Sequence, residues 1–399
     1  MGIPVEGHCD SKFSEIRDLF EKSFDGDEEI GAAICFVLDG ETVIDLWGGH
    51  YDKERTRPWE RDTIVNTYST TKGMTAICAH QAIERGLIDL DAPVAKYWPE
   101  FAAAGKSEIP VRWLLSHQAG LPAVRKPLPE GSVTNWDVMC AALAEQEPWW
   151  EPGTQHGYHA LTFGFLVGEV LRRATGKTVG EWFRENVSGP LDADFHIGFG
   201  PELDARTANL FGSLIPQNGK GDSSKPAPPK IPGPVGQMME DMRDPTTMTG
   251  AAFNNPAGGT NHVNSREWRA AEIPAANGHG NARSLARIYG SLARGGEIDG
   301  VRILEPASIE LARTEQVFGP DAVLGQLPMR FGLGFMLRQD MMPLSPSNNA
   351  FGHPGAGGSI GMADPDTKTG FGYVMNKMHV GLVGGPSAFK VLQRFFELC

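Results

Sequence analysis

Residues 67–76 read Thr-Tyr-Ser-Thr-Thr-Lys-Gly-Met-Thr-Ala, which places a Ser-x-x-Lys pattern, Ser69 and Lys72, at the head of a segment with helical spacing. Apolar residues recur at the spacing of a buried helix from residue 74 onward, until Arg85-Gly86 ends the pattern. Because residues three apart share a helix face, the Ser69 hydroxyl and the Lys72 amine can point into one site. The pattern fits a nucleophile with its proton acceptor, or a helix cap followed by a solvated lysine. Taken by itself, this two-residue pattern favours the helix cap with a solvated lysine.

The composition indicates a globular protein that acts on small molecules. The chain has 399 residues, 41% of them hydrophobic, which is enough for a large core in two lobes or in one domain with an insertion. Its net charge is −13, and its lysines and arginines form no cluster beyond isolated pairs. This balance argues against nucleic acid or an anionic membrane as a partner.

Targeting signals and cysteine usage favour the cytoplasm. The N-terminus lacks a basic region followed by an apolar run, and no stretch of about 18 apolar residues could span a membrane. The five cysteines are widely spaced and include no Cys-x-x-Cys pair, which is typical of free thiols in a reducing compartment. We expect a cytoplasmic protein and leave a homodimer open.

The order of local patterns predicts a sheet built from both ends of the chain, with helices inserted between them. Asp39-Gly40 is a hairpin signal between two apolar runs. The predicted strands are 31–38, 43–46, 331–337, 352–363 and 371–378. The predicted helices are 11–24, 111–116, 136–145, 161–175, 284–293, 306–314 and 386–398, besides the helix after Ser69. Residues 214–259 are rich in Pro and Gly, and their methionines and Phe253 favour a covering loop over a free linker.

Two further stretches carry residues suited to a catalytic cleft. Tyr158 follows Glu-Pro-Gly-Thr at 151–154 and precedes a predicted helix, so a turn delivers its side chain. A half-buried packing role is the alternative for this tyrosine. His-Pro-Gly-Ala-Gly-Gly at 353–358 is a Gly-rich strand against whose backbone N–H groups a substrate can lie, although Gly can equally mark a bulge.

Taken together, these motifs resemble the serine β-lactamase and penicillin-binding-protein superfamily, and within it the family VIII carboxylesterases, relatives of class C β-lactamases. The likeness rests on Ser69-x-x-Lys72, on Leu-Leu-Ser-His-Gln-Ala-Gly-Leu-Pro at 114–122, on Pro-Gly-Thr leading to Tyr158, and on His353-x-Gly355. Their order and spacing cover roughly residues 30–380. Jointly they reverse the preference for a simple helix cap at Ser69.

The resemblance implies an α/β fold with an antiparallel sheet flanked by helices, of the β-lactamase/transpeptidase type, and a mainly helical second domain. The α/β domain would comprise residues 1–90 and 275–399. The helical domain would comprise residues 91–274, including the loop at 214–259. The local patterns predict the same layout independently.

The resemblance also implies roles for individual residues. Ser69 would be the acylated nucleophile, Lys72 and Tyr158 the proton-shuttling pair, and the N–H groups of Ser69 and Ala356 the oxyanion hole. No cofactor and no metal are implied. The predicted substrate-binding residues are His353, Gly355, Trp150 and Phe253.

This chemistry requires a perturbed base. Free lysine and tyrosine titrate near pH 10, so either must shift by about three units, or about 4 kcal/mol, to serve at neutral pH. Burial can favour a neutral Lys72, and a neighbouring cation can favour a Tyr158 anion. The sequence leaves both alternatives open.

Three other motifs compete with this assignment. Gly-Gly-Ser-Ile-Gly at 357–361 matches the nucleophile elbow of α/β-hydrolases, but Ser359 lies in a predicted strand with no helix after it. Lys-Thr-Gly at 368–370 copies a β-lactamase motif but falls in a predicted turn, where Lys368 would be solvated. His156-x-x-His159 lacks the acidic partner expected of a zinc site, so we expect solvent-facing or cleft-lining histidines.

Two departures from the family pattern bear on the substrate. Many β-lactamases carry Asn two residues after the Tyr, where this chain has Ala160, and His353 replaces the lysine of the third motif. Both changes weaken recognition of an anionic amide. We therefore predict a serine carboxylesterase that cleaves small, short-acyl esters through an acyl-enzyme. The alternatives are a β-lactamase, a D-amino peptidase or amidase, an acyltransferase, or a catalytically silent binding protein.

Overall fold

The computed structural model describes residues 5–213, 233–258, 262–380 and 384–399. The α-helices are α1 (Ser14–Lys22), α2 (Thr71–Glu84), α3 (Val111–Leu115), α4 (Trp136–Glu145), α5 (Thr162–Thr175), α6 (Val179–Phe183), α7 (Gly233–Asp241), α8 (Met248–Asn254), α9 (Arg266–Ala270), α10 (Ala282–Ala293), α11 (Pro306–Arg313) and α12 (Pro386–Leu398). The strands are β1 (Val5–Cys9), β2 (Gly31–Leu38), β3 (Glu41–Gly49), β4 (Ile64–Asn66), β5 (Phe195–Ile197), β6 (Thr207–Ala208), β7 (Gly278–Gly280), β8 (Glu297–Ile298), β9 (Val301–Arg302), β10 (Val317–Pro320), β11 (Pro328–Phe331), β12 (Met336–Leu337), β13 (Phe351–Pro354), β14 (Ile360–Asp364) and β15 (Thr369–Met375).

A nine-stranded antiparallel sheet joins the two ends of the chain. Its order is β1-β3-β2-β15-β14-β13-β12-β11-β10, so β2 from the N-terminal part pairs directly with β15 from the C-terminal part. The hairpin predicted at Asp39-Gly40 is present: both residues have positive φ, and Leu38 pairs with Glu41. The sheet confirms the predicted fold class.

Helices cover both faces of this sheet. On one face α12 packs through stacked rings: the Phe395 ring lies 4.9 Å from that of Phe13, just before α1, and 4.1 Å from that of Phe36 on β2. On the other face α10 lies directly on β15. A Cβ on Gly370 would come within 2.3 Å of the Gly290 backbone nitrogen, so glycine on the strand permits this close approach.

Helix α2 is central to the molecule. All its residues from 71 to 82 are buried, because it packs against helices α5 and α6 on one side and against α11 and strand β13 on the other. It carries one charged residue, Lys72, within that buried stretch. A helix buried on all sides places its N-terminus, with Ser69 just before it, between the sheet and the inserted helices.

Among the described residues between β4 and β7, most regular elements are helices, and a second, four-stranded sheet of order β5-β7-β4-β6 connects this part to the rest of the chain. Strands β5 and β6 come from the inserted part, whereas β4 and β7 flank it. The domain boundaries at 90/91 and 274/275 remain a prediction.

Three predicted elements differ from the structure. The strand predicted at 331–337 is the hairpin of β11 and β12, and the strand predicted at 352–363 is β13 and β14 with a turn between them. Alternating apolar and glycine residues hide such turns in the sequence. Of the loop predicted at 214–259, residues 214–232 and 259 lie outside the described residues, while the rest contains helices α7 and α8.

None of the helices in the described ranges combines the length and the apolar character needed to cross a bilayer.

Candidate active site

Ser69 lies in a tight turn between β4 and α2. Successive i+3→i backbone hydrogen bonds close the turn from Thr67 onward. Tyr68 has a φ of 43°, a left-handed conformation that is uncommon outside glycine and typical of constrained functional turns. Its neighbours are buried, but Ser69 keeps partial exposure. The turn thus presents the Ser69 hydroxyl at the helix N-terminus, whose partial positive charge favours a developing anion.

Lys72 Nζ contacts three oxygen atoms. It lies 2.7 Å from the Ala160 carbonyl, 3.0 Å from the Ala275 carbonyl and 3.1 Å from Ser69 Oγ. The lysine is fully buried, and burial holds the pKa of its amine well below the ordinary value, with no described carboxylate to oppose the effect.

These contacts match a neutral amine. A neutral Nζ has two N–H bonds and one lone pair, and two of its three neighbours are carbonyl oxygens that can only accept. If the two N–H groups donate to Ala160 and Ala275, the lone pair points to the Ser69 hydroxyl. Three oxygen neighbours would also suit an ammonium, so it is the burial of Lys72 that favours the neutral form, in which Nζ can accept the Ser69 proton.

Tyr158 is on the other side of Ser69. Its hydroxyl is hydrogen-bonded to the Ser69 side chain, and its ring centroid is 4.7 Å from Lys72 Nζ. Burial raises the pKa of the phenol; the Ser69 hydrogen bond opposes this shift and the charge of Asp321 adds to it. Of the two alternatives left open above, neutral Lys72 with neutral Tyr158 is the state that burial favours.

Neutral imidazole rings line the site behind Tyr158. The His117 ring, from the 114–122 motif, lies 5.1 Å from the Tyr158 ring, and its Nδ1 accepts the His159 backbone N–H at 3.2 Å. Burial lowers the pKa of His117 well below its ordinary value and that of His159 to about 3. These histidines therefore add no positive charge near Lys72.

His353 faces the same site from β13. Its Nδ1 donates to the Pro354 carbonyl at 2.7 Å, which leaves Nε2 as an acceptor with no partner among the described residues. The ring centroid is 6.0 Å from that of Tyr158. Burial lowers the pKa of His353 to about 3, and the proximity of Lys72 contributes. The position therefore carries an acceptor, not a cation.

The turn between β13 and β14 packs against the turn that carries Ser69. A Cβ on Gly355 would lie 2.1 Å from both the Thr67 carbonyl and Ser359 Oγ, so no other residue fits there. The Gly355 N–H donates to the Ser359 carbonyl at 2.7 Å. The Gly355 N–H is therefore engaged within the turn, and the substrate-binding role of Gly355 remains a prediction. Its function is to bring the two turns together.

Ala356 follows Gly355 in this turn and is 7% exposed. Within the described part of the chain its N–H donates to no backbone carbonyl. The packing of Gly355 against Thr67 brings Ala356 close to the Ser69 turn. The oxyanion role of the Ser69 and Ala356 N–H groups remains a prediction that this placement permits.

Ser359 is a structural residue. It is 1% exposed, and its Oγ donates to the Thr67 carbonyl at 2.7 Å and lies 3.0 Å from Thr70 Oγ1. It precedes β14 in the turn, and is not inside a strand as predicted. With its hydroxyl engaged and no exposed face, Ser359 is unsuited to attack a substrate.

The other competing motifs are also accounted for. Lys368 lies in the exposed β14–β15 turn, 3.2 Å from Asp39 Oδ1, as expected for a solvated lysine. His156 and His159 are both buried, which rules out the solvent-facing alternative and leaves the cleft-lining one. Both nitrogens of the His159 ring are bonded to the backbone, at Gly157 and Leu121. No group of three or more His, Cys, Asp or Glu within the described ranges could hold a metal ion.

Two further residues, Trp150 and Phe253, were predicted to bind the substrate. Trp150 is half-buried, its ring is 6.1 Å from that of His159, and its Nε1 has no partner among the described residues. Phe253 is half-buried in α8, which Thr249 ties to the Val323 carbonyl at 2.8 Å. The substrate roles of Trp150 and Phe253 remain predictions.

Sequence reasoning missed Asp321. This carboxylate is fully buried after β10, and its Oδ1 accepts the Tyr158 N–H at 3.0 Å. A single Asp after Pro320 carries no motif, and 163 residues separate it from Tyr158, so no local pattern could reveal it. Ala160 and Ala275 were missed as Lys72 partners for the same reason, because they contribute only carbonyl groups.

The sequence profile of the Beta-lactamase family matches residues 16–385. The chain belongs to the Beta-lactamase family. This membership confirms the resemblance drawn from the motifs, and the matched residues include every strand of the large sheet except β1.

Individual relatives agree with the family assignment. Esterase/beta-lactamase LipL of Mycobacterium tuberculosis is 36% identical over 395 residues, which covers 96% of this chain and 87% of LipL. The crystal structure of a family VIII carboxylesterase superposes with a TM-score of 0.88 at 39% identity and covers 100% of both chains. A penicillin-binding protein homologue from Caulobacter crescentus has a TM-score of 0.87 at 36% identity, with 99% of this chain and 100% of that chain covered. The likeness thus extends over the whole Beta-lactamase family fold.

Proposed function

We propose that this protein is a serine carboxylesterase that hydrolyses small, short-acyl esters through an acyl-enzyme on Ser69. The observation that carries the proposal is the environment of Lys72 Nζ, which is buried, uncharged by preference and 3.1 Å from Ser69 Oγ. A base held in its neutral form beside a hydroxyl is what a serine nucleophile requires.

The proposed reaction has two halves. Lys72 takes the Ser69 proton as Oγ attacks the ester carbonyl, and the N–H groups of Ser69 and Ala356 stabilise the oxyanion. Collapse breaks the bond to the alcohol, whose oxygen receives a proton from Tyr158, and the protonated Lys72 then gives its proton to the Tyr158 phenolate. Water then attacks the acyl-enzyme with the same groups, releasing the acid and Ser69. Each oxyanion donor should contribute about 2.7–4 kcal/mol to the transition state.

The polar groups of the site support a neutral substrate. The pKa of His353 is lowered to about 3 by burial, so this side chain cannot pair with a carboxylate at neutral pH. Ala160 offers no side-chain amide, and its carbonyl is engaged with Lys72 at 2.7 Å. An uncharged ester needs neither a cation at position 353 nor an amide at position 160. A β-lactam, in contrast, would lack both a counter-ion for its carboxylate and a partner for its amide.

The names of two relatives support ester hydrolysis as the main activity. One relative is called an esterase/beta-lactamase and another a family VIII carboxylesterase. We expect weak β-lactam turnover at most. The acidic net charge supports small molecules as partners, and the five unpaired cysteines of the described chain support a cytoplasmic location. Formation of a homodimer stays a prediction.

A labelling experiment with hydrolysis assays tests the proposal. A fluorophosphonate probe should label the wild type and fail to label Ser69→Ala, and the wild type should hydrolyse p-nitrophenyl acetate or butyrate faster than any cephalosporin. Ser359→Ala should still be labelled. Faster cephalosporin turnover, or labelling that disappears only in Ser359→Ala, would overturn the proposal. Diversion of the acyl group to an added alcohol would instead indicate an acyltransferase.

A further inference from the structure

Two buried ionisable side chains next to Tyr158 have no role in the mechanism above. Asp321 is 0% and His156 is 5% exposed. Asp321 Oδ2 and His156 Nε2 lie 3.9 Å apart, and each lacks a hydrogen-bond partner among the described residues. Two unsatisfied polar atoms that face each other in a buried place require an explanation.

The other carboxylate oxygen of Asp321 fixes the local backbone. Its Oδ1 accepts N–H groups from Tyr158 at 3.0 Å, Val323 at 2.9 Å and Leu324 at 2.9 Å. These bonds tie the segment that carries Tyr158 to the loop after β10. The position of the Tyr158 side chain therefore depends on how well Asp321 is held.

The Asp321–His156 pair can exist in states that differ in the number of protons it binds. If the Nδ1 proton of His156 points to the Gly319 carbonyl, whose interaction favours the protonated ring, Nε2 carries a lone pair when the ring is neutral. Without a further proton, this lone pair would face the Oδ2 lone pairs in a buried place. One proton bound by the pair removes this repulsion by making one of the two atoms, which lie 3.9 Å apart, a donor and the other an acceptor. Burial raises the pKa of Asp321 and lowers the pKa of His156, so their proton affinities converge.

We propose that Asp321 is a positioning residue for Tyr158 and that it shares a single proton with His156. The proposal rests on the esterase function, because it concerns the group that relays the proton to the leaving alcohol. With one proton, the Asp321–His156 pair has no net charge, so it holds the Tyr158 backbone without placing a full negative charge beside the buried active site. The titratable groups that interact with the pair are Tyr158, which feels the charge of Asp321, and His117, which feels the charge of His156.

A rescue experiment tests the shared proton. His156→Leu leaves the Asp321 carboxylate buried and unpaired, so kcat for p-nitrophenyl butyrate should fall by about tenfold or more, with KM changed by less than about threefold. Asp321→Asn keeps an oxygen for the three N–H groups and removes the charge. The double variant should therefore recover kcat to within about threefold of the wild type. The deficit of His156→Leu should also shrink at lower pH, where Asp321 takes up a proton.

A matched control uses an exposed histidine–carboxylate pair. His8 Nε2 lies 2.7 Å from Asp10 Oδ1, with side chains 61% and 47% exposed. His8→Leu, alone or with Asp10→Asn, should leave kcat unchanged. If Asp321→Asn fails to restore the activity of His156→Leu, or if the deficit is independent of pH, the shared proton is refuted.

If His156→Leu does not fold, the positioning role of Asp321 is tested with Asp321→Asn and Asp321→Ala. Asn should keep kcat within about threefold of the wild type, whereas Ala, which removes the Oδ1 acceptor, should lower kcat by about tenfold or more. Equal effects of Asn and Ala would refute the positioning role. Failure of the esterase function is recognised separately, because Ser69→Ala would then retain ester hydrolysis or the wild type would have none.

Discussion

Lys72 and Lys106 are both completely buried lysines whose Nζ atoms contact backbone carbonyls. Lys106 donates to three carbonyls, those of Ala103, Ala144 and Gln146. Lys72 contacts two carbonyls and the Ser69 hydroxyl. The two lysines thus differ at one contact, where Lys72 has a hydroxyl and Lys106 has a carbonyl. Only the hydroxyl can give a proton to the nitrogen, so Lys72 can act as a base whereas Lys106 is structural.

Substitution of the two lysines should separate these functions. Lys72→Met should lower kcat for p-nitrophenyl butyrate by about 10²–10⁴, the usual contribution of a general base. Lys106→Met serves as the control and should lower thermal stability while kcat of the folded fraction stays near that of the wild type. Steady-state kinetics and thermal unfolding measure both effects. Equal kcat losses in the two variants would contradict the assignment of Lys72 as the base.

The pH profile should identify the base. If Lys72 acts in its neutral form, kcat/KM rises with pH through a lysine pKa that burial has lowered, and a plateau is reached well below the ordinary value of 10.5. If a Tyr158 anion were the base, the rise would continue above pH 10, because burial raises the pKa of this phenol. A profile of kcat/KM from pH 5 to about pH 10.5 distinguishes the two.

At the scale of elements, two turns form the site by packing against each other. The turn before α2 carries Ser69, and the turn between β13 and β14 carries Ala356. Gly355 permits their contact, and Ser359 Oγ joins them through the Thr67 carbonyl at 2.7 Å. The register between nucleophile and proposed oxyanion donor is thus set by two residues that take no part in the chemistry.

Ser359→Ala tests this view of the turns. Loss of the hydroxyl removes one of the two donors to the buried Thr67 carbonyl and leaves the Thr70 N–H as the other, which should cost about 0.5–1.5 kcal/mol of folding free energy. We expect a reduced kcat and a small change in KM, with Ser69 still labelled by the fluorophosphonate. Chemical denaturation and probe labelling are the measurements. Complete loss of labelling in a folded Ser359→Ala protein would contradict the structural role of Ser359.

At the scale of the whole molecule, buried neutral histidines make the fold sensitive to acid. The pKa values of His159, His279 and His353 are each lowered to about 3 by burial, against 6.5 for a free imidazole. Between those values the unfolded chain binds protons that the folded chain excludes, so stability falls as pH decreases from 6.5 towards 3. Above pH 6.5 both states are neutral, and these groups contribute no pH dependence.

A histidine substitution should reduce this acid sensitivity. The His279 Nδ1 lies 2.7 Å from the Asn277 carbonyl, and His279→Asn can keep that donor without titrating. Relative to its own stability at pH 7, the variant should lose about 2 kcal/mol less than the wild type at pH 4.5. Urea unfolding at the two pH values measures the difference. An identical loss in both proteins would mean that His279 is protonated without cost in the folded state.

The amino-acid sequence by itself determined the family, the sheet drawn from both chain ends, and the local elements with strong signals. The Asp39-Gly40 hairpin and the helix Trp136–Glu145 were predictable because turn chemistry and helical spacing act over a few residues. The order of motifs likewise identified Ser69, Lys72 and Tyr158 as candidates, and the structure brings these three side chains together.

Only the tertiary structure decided the proton affinity of Lys72 and the contacts that hold Lys72 and Tyr158 in place. The carbonyls that hold Lys72 come from positions 88 and 203 residues away, and the carboxylate that holds the Tyr158 backbone lies 163 residues away. Proton affinity depends on burial and on such neighbours, and neither is written in a local pattern. The lysine of the Ser-x-x-Lys pattern is a suitable base because folding removes it from water and surrounds it with groups that accept hydrogen bonds.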